Sequence, residues 1–182
     1  LILWLGWFGF NGGSVLSANP ANTSLVLVTT CLAAAAGGLG AAFFSSLLYR
    51  NLDLTMFMNG VLGGLVAITA GADQMSPNEA IMIGVTGGII VVLGVSILDK
   101  AKLDDPVGAI PVHLFSGIWG TLAVGIFGAS KGLDQFIVQL ASVGIVGVFC
   151  VISTIAITLL VKSTVGLRVT EREEMEGLDI AE

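Results

Sequence analysis

The sequence predicts an all-α integral membrane protein, a polytopic bundle of helices. Three observations predict it: 55% of the 182 residues are hydrophobic, only 11% are charged, and the charges gather at the ends of long apolar runs. No charged side chain precedes Arg50, and a helix of that length would run roughly 74 Å, more than twice the hydrocarbon thickness. The opening stretch must therefore cross twice. The break falls at Ala18-Asn19-Pro20-Ala21-Asn22, because proline disfavours helix in the residue before it and asparagine suits caps and turns. This places helices at about 1–18 and 21–49. The first begins at Leu1 without an initiating methionine, a basic flank or a cleavage site, so further sequence upstream is expected.

Charge-free runs bounded by polar connections then place helices at about 54–72, 78–98, 106–128 and 135–161. Six segments make a transmembrane part over 1–162, followed by an acidic tail over 163–182. If the segments alternate, Arg50, Lys100, Lys102, Lys162, Arg168 and Arg172 lie on one side and only Lys131 on the other. The positive-inside rule then puts the carboxyl end in the cytoplasm of a cell (plasma or inner) membrane. The net charge of −6 comes largely from Glu171, Glu173, Glu174, Glu176, Asp179 and Glu182, which read as a solvated tail or as a docking strip for a soluble partner.

Cys31 and Cys150 sit inside apolar segments with no metal-ligand or redox spacing beside them, and are expected to be buried free thiols. The pairs Gly9/Gly13, Gly60/Gly64 and Gly84/Gly88 have the small-xxx-small spacing that lets helices approach closely in lipid.

Four places are candidates for chemistry. Trp7, Phe10 and Ser14 fall near one helix face close to the outer surface; aromatic faces and a hydroxyl there suit a small cation, and an interfacial aromatic belt is the alternative. Asp104-Asp105-Pro106 reads as a helix start, with Asp105 a capping carboxylate and Pro106 the first helical residue. His113, the only histidine, lies eight residues beyond Asp105, about 12 Å deeper along a helix axis. An ionisable group at that depth points to a pathway, and neutral imidazole both donates and accepts a hydrogen bond. Pro111 removes a backbone donor there and is expected to kink the helix, freeing a carbonyl for water or a pore. Thr69, the polar group near the outer end of the glycine-rich segment Asn59–Gly71, is read as bonded to its own helix backbone or as pore lining.

Taken together, Trp7 through Ser14, the Asn59–Gly71 segment, Asp104-Asp105-Pro106-Val107-Gly108-Ala109 with Val112-His113, and Gly117-Ile118-Trp119-Gly120 resemble the ammonium transporter (Amt/Rh) family. The tail Thr164-Val165-Gly166-Leu167-Arg168-Val169, followed by Glu176-Gly177-Leu178-Asp179, is similar to that family's cytoplasmic carboxyl terminus. The aromatic pair favours the Amt branch. The resemblance implies a homotrimer of eleven-helix subunits, each with a narrow hydrophobic pore between inverted halves; this chain matches the second half, the last helix and the tail. It implies that Trp7 and Ser14 help recruit ammonium, Phe10 belongs to a gate below them, His113 is one of two pore histidines, Thr69 lines the pore and Asp105 caps a helix. The partner histidine and other recruitment residues would belong to the first half. Pro111 and Leu114 depart from the small residues common beside the histidine.

The function so implied is recruitment of ammonium, its deprotonation, and conduction of ammonia, with or without the proton, through an apolar pore. Alternatives are an ammonium sensor signalling through its tail and a half-transporter that conducts nothing alone. No enzyme activity, cofactor, metal or nucleic-acid partner is expected. The partners implied are ammonium or ammonia, the lipid bilayer, and a small trimeric nitrogen-regulatory signal protein at the cytoplasmic face.

Overall fold

Caps and prolines decide where the helices of this chain begin. In a computed structural model, which describes residues 1–178, the order is α1 (Ile2–Gly13), α2 (Pro20–Tyr49), α3 (Leu54–Thr69), α4 (Pro77–Ala101), a π-helical turn (Ile110–Phe115) that runs into α5 (Ser116–Ile126), α6 (Leu133–Thr164) and α7 (Glu171–Glu176). No strand occurs among the described residues, in keeping with the all-α expectation. The Asn19 side chain accepts from the Ala21 and Asn22 amides ahead of Pro20, Asp53 caps α3 through the Met56 amide, and Ser76 and Glu79 form a reciprocal capping box at α4. α2 and α4 end on Arg50 and Lys102, cations at the negative ends of their helices.

The ends differ from the sequence expectation where other hydrogen bonds or close contacts intervene. α1 stops at Gly13, short of residue 18, because Gly12 and Gly13 are weak helix formers and the Ser14 hydroxyl turns back onto the Phe10 carbonyl. α3 stops at Thr69 instead of 72, and the Ala72 carbonyl is taken by the Thr29 hydroxyl of α2 at 2.7 Å. The helix expected from Pro106 starts only after Gly108. Gly108 has a left-handed φ of 72°, a conformation that suits glycine, and a Cβ there would meet the Asn59 amide nitrogen at 2.7 Å. α6 is longer than 135–161 and extends past Lys162 into the stretch read as tail.

α2, α4 and α6 are long and apolar enough to cross a membrane; α3 and the segment Ile110–Ile126 are apolar but shorter. The chain divides into two units, Leu1–Ala141 and one from Ser142 onward.

In the first unit, α2 packs tightly against both α3 and α4. Its Ala33 and Gly37 are met on one side by Gly60 and Gly64 of α3, and on the other by Gly84 and Gly88 of α4. A Cβ on Gly64 would lie 2.9 Å from the Ala33 carbonyl carbon, one on Gly84 2.7 Å from the Ala33 Cα, and one on Gly88 2.9 Å from the Gly37 carbonyl carbon. Two of the three glycine pairs picked out by spacing thus share one partner helix, whereas nothing lies within 4 Å of a Cβ built on Gly9 or Gly13. Val26, Ile68, Met75, Ile83 and Val124 fill the core at the end where α3 turns into α4. Cys31, expected to be buried, is exposed, as is Cys150; apolar sequence does not distinguish a protein interior from a lipid-facing flank.

None of the residues of α6 is buried. Beyond it, Arg168 pairs with Glu174 and Arg172 with Glu176, and Thr170 and Glu173 form a capping box for α7. The Thr170 hydroxyl and amide hold the Glu173 carboxyl below the ordinary carboxylate range. This cap is therefore intact above the usual glutamate pKa and is lost as pH falls through the lowered value. Asp179 and Glu182 of the acidic tail lie outside the described residues.

Candidate functional site

α1 brings its aromatic residues to the carboxyl-terminal end of α3. Trp7 and Phe10, one turn apart, have ring centroids 5.5 Å apart at an interplanar angle of 47°. The Trp7 indole N–H donates to the Thr69 hydroxyl at 2.9 Å, and that hydroxyl donates to the Leu65 carbonyl at 2.7 Å. Thr69 therefore bonds its own helix backbone, the first of the two sequence readings, and holds α1 as well. Phe10 remains 59% exposed, so its ring presents a face that the first unit does not cover.

His113 reaches the same place from the opposite side. Trp7, Phe10, Val66, Thr69, His113 and Thr121 line one groove of about 310 Å³. The imidazole is exposed there, and no side-chain hydrogen bond engages it among the described residues. Its backbone is the π-helical turn, which explains how Pro111 is accommodated. The Pro111 carbonyl receives both the amide and the hydroxyl of Ser116, five residues on, the latter at 3.2 Å; the turn is widened where a kink was expected. Pro111 has no N–H for the carbonyl of Val107 one turn back, and the Asn59 side chain of α3 donates to it at 3.1 Å. The freed carbonyl is thus satisfied by protein, where water or a pore was expected. Gly94 of α4 makes room for the proline ring: a Cβ there would lie 2.8 Å from Pro111 Cβ.

Asp105 lines no part of the groove. Its two carboxylate oxygens accept from the Ala109 and Ile110 amides, each at 2.8 Å. The expected cap is present, but it acts across the Pro106-Val107-Gly108 turn, and Pro106 is not the first helical residue. The 12 Å of helical rise expected between Asp105 and His113 does not apply, because half of that interval is turn. Replacing Asp105 by alanine is expected to cost about 2 kcal/mol, since two charge-assisted bonds to free helix amides disappear. The check is the thermal unfolding midpoint of the purified full-length protein; an unchanged midpoint would contradict the capping role.

Ser14 is not brought to the groove. It lies at the end of α1 and lines an adjoining polar hollow of about 240 Å³ with Asn11, Asn22, Thr69 and Asp73. Thr69 belongs to both spaces. Asn11 is 4% exposed and donates through Nδ2 to the Thr30 hydroxyl at 3.0 Å. Sequence reasoning missed Asn11 and Asp73. Asn11 follows Trp7 by four residues on α1, so helical spacing was the available signal for it, whereas Asp73 lies in the turn beyond α3, where that spacing does not apply. No cluster of three or more metal-ligating side chains occurs among the described residues.

Comparison with known proteins gives a consistent result. The family described as the Ammonium Transporter Family matches residues 1–182. The chain is 43% identical over 198 residues to ammonium transporter Amt2 of Archaeoglobus fulgidus, covering 100% of this chain and 42% of that protein. It is 39% identical over 185 residues to ammonium transporter Amt2 of Methanocaldococcus jannaschii, covering 99% of this chain and 43% of that protein. Among solved structures, a chain named Sensor Amt Protein superposes with a TM-score of 0.93 at 35% identity, covering 99% of this chain and 46% of that one. Candida albicans Mep2 does so with a TM-score of 0.87 at 26% identity, covering 94% and 42%. The chain thus spans less than half the length of the relatives it matches.

Proposed function

The chain belongs to the ammonium transporter family, a family of multi-pass membrane proteins, and from that premise we propose that the full-length protein recruits ammonium at an outer aromatic site, deprotonates it and conducts ammonia. The observation that carries this reading is the groove in which Trp7, Phe10, Thr69 and His113 meet. Aromatic faces attract a cation through the ring quadrupole, and in the adjoining hollow the Ser14 oxygen, its proton committed to the Phe10 carbonyl, is left to accept. Beside the rings the groove is lined by apolar Val66 and Ala70. A neutral molecule crosses such a surface at far smaller desolvation cost than an ion, which is the physical reason to remove the proton first. His113, with both imidazole nitrogens free of side-chain partners, guides ammonia or relays the proton together with a second pore histidine. Asp105 serves as the helix cap.

In this reading the protein is a homotrimer in the cell membrane with its carboxyl end in the cytoplasm. A small trimeric nitrogen-regulatory signal protein docks around Asp99–Lys102 and the tail. A second reading is favoured by one observation, the high similarity to a chain named Sensor Amt Protein: ammonium binds and the tail signals. The two separate in proteoliposomes of the full-length protein. An ammonium pulse is expected to evoke a current or a luminal pH change; normal ammonium binding with neither response would sink the transport reading in favour of the sensor.

A further inference from the structure

The stretch of chain that leads into the His113 turn is tied to α3 by one side chain, Asn59. We propose that Asn59 is a positioning residue for His113: from α3 it holds the turn that carries the imidazole, and so sets the distance between that imidazole and the groove wall formed by Val66 and Thr69. The proposal rests on the transport reading for what the histidine does, but not for the contact itself.

That stretch has little of its own to hold it. Between Leu103 and Gly108 the chain is not helical. The Asp105 carboxylate binds amides only a few residues on, so it shapes the turn without attaching it to the rest of the bundle. The attachment comes from Asn59, whose Nδ2 donates to the Val107 carbonyl at 3.1 Å. Among the described residues this is the one side-chain hydrogen bond from another helix to any residue between Asp104 and Phe115. The next residue, Gly108, is buried, and a Cβ on it would meet the same nitrogen at 2.7 Å. The amide is thus bonded to one residue and lodged against the next, which leaves the turn little play relative to α3.

The same face of α3 builds the groove. Val66 follows Asn59 by seven residues, two turns of helix and about 10 Å of rise, so the two share a face. Thr69, a further turn on, takes the Trp7 bond. One wall of the groove and the mounting of the other are therefore fixed to a single helix, with Asn59 at the mounting. Pro111 is also pressed against Gly94 of α4, but an apolar contact is non-directional and permits sliding that a hydrogen bond to a fixed carbonyl resists.

The test uses the full-length protein with Asn59→Leu, close in size and without a donor, and Asn59→Asp, equal in size and without an N–H. Hydrogen exchange read by mass spectrometry, in detergent and without ammonium, is expected to show the amides of residues 112–116 exchanging about three- to tenfold faster in both variants, the size of one hydrogen bond lost from a local opening. Peptides from α2 and α4 should exchange as in the wild type. In proteoliposomes the saturating ammonium-evoked flux per folded protein should fall about tenfold, because a displaced group costs rate. The half-saturating concentration should stay within about twofold, because recruitment lies at the rings and not at the turn. Normal flux per folded protein, with a conducting wild type, would overturn the proposal. So would exchange at the turn that is unchanged, or that rises evenly along the whole chain as a general packing defect requires. A loss carried by half-saturation would also overturn it, since Asn59 would then be a contact of the cargo. If the wild type conducts nothing, the transport reading fails while exchange still decides whether Asn59 holds the turn.

Discussion

Replacing His113 by alanine in the full-length protein is expected to reduce ammonium-evoked transport by roughly a hundredfold or more, the scale on which a positioned acid–base group acts. Folding should be spared, because the imidazole is exposed in the groove and holds no side-chain partner among the described residues. The comparison that matters is current after an ammonium pulse against unfolding midpoint and elution volume for the same preparation. A normal current would refute the relay role. A current that persists while discrimination against larger monovalent cations is lost would show that His113 excludes the hydrated ion and does not carry its proton.

The largest structural effect should come from the seam between α2, α3 and α4. Gly88→Val would drive a branched side chain into the backbone of α2, where even a Cβ lies 2.9 Å from the Gly37 carbonyl carbon. Backbone cannot rotate aside as a flexible side chain can, so the helices must part along a seam in which Gly84 is equally close to Ala33. A loss on the order of 4 kcal/mol or more follows, among the severest single-residue effects. The full-length variant should fail to accumulate as folded protein, and Gly88→Ala should be recovered with a lowered midpoint. Wild-type yield and stability of Gly88→Val, measured by size-exclusion and thermal unfolding, would mean that the helices sit farther apart than the described geometry.

Much of the helix plan was legible because charge is scarce: the gaps around Arg50, Asp53, Asp73, Glu79, Lys100 and Asp104 are also where helices end or begin. The exact ends were less legible because they depend on partners far along the chain. The amide of Asn59 meets the carbonyl of Val107, and the hydroxyl of Thr29 that of Ala72; no local pattern announces either. Spacing alone ranks Gly9/Gly13 with Gly84/Gly88, since it records which residues share a face but not which helix arrives to use it. Around the groove, helical spacing brought Trp7 and Phe10 to one face, and the family resemblance joined His113 and Thr69 to them. Ser14 left that set because α1 ends beside it. Asp73 was passed over because an acid between apolar runs looks like a boundary, whereas here it also opens onto a cavity.

The widened turn at Ile110–Phe115 has a consequence for how this stretch can vary. A π turn is an α-helix carrying one surplus residue, so helical phase on its two sides is offset by about a hundred degrees. Side chains within it can be exchanged without disturbing that offset. Removing a single residue, however, would cancel it, shorten the five-residue span between the Pro111 carbonyl and Ser116, and swing His113 away from the Trp7 face while leaving the Asp105 clamp locally intact. Length, more than composition, is the quantity that aims the histidine.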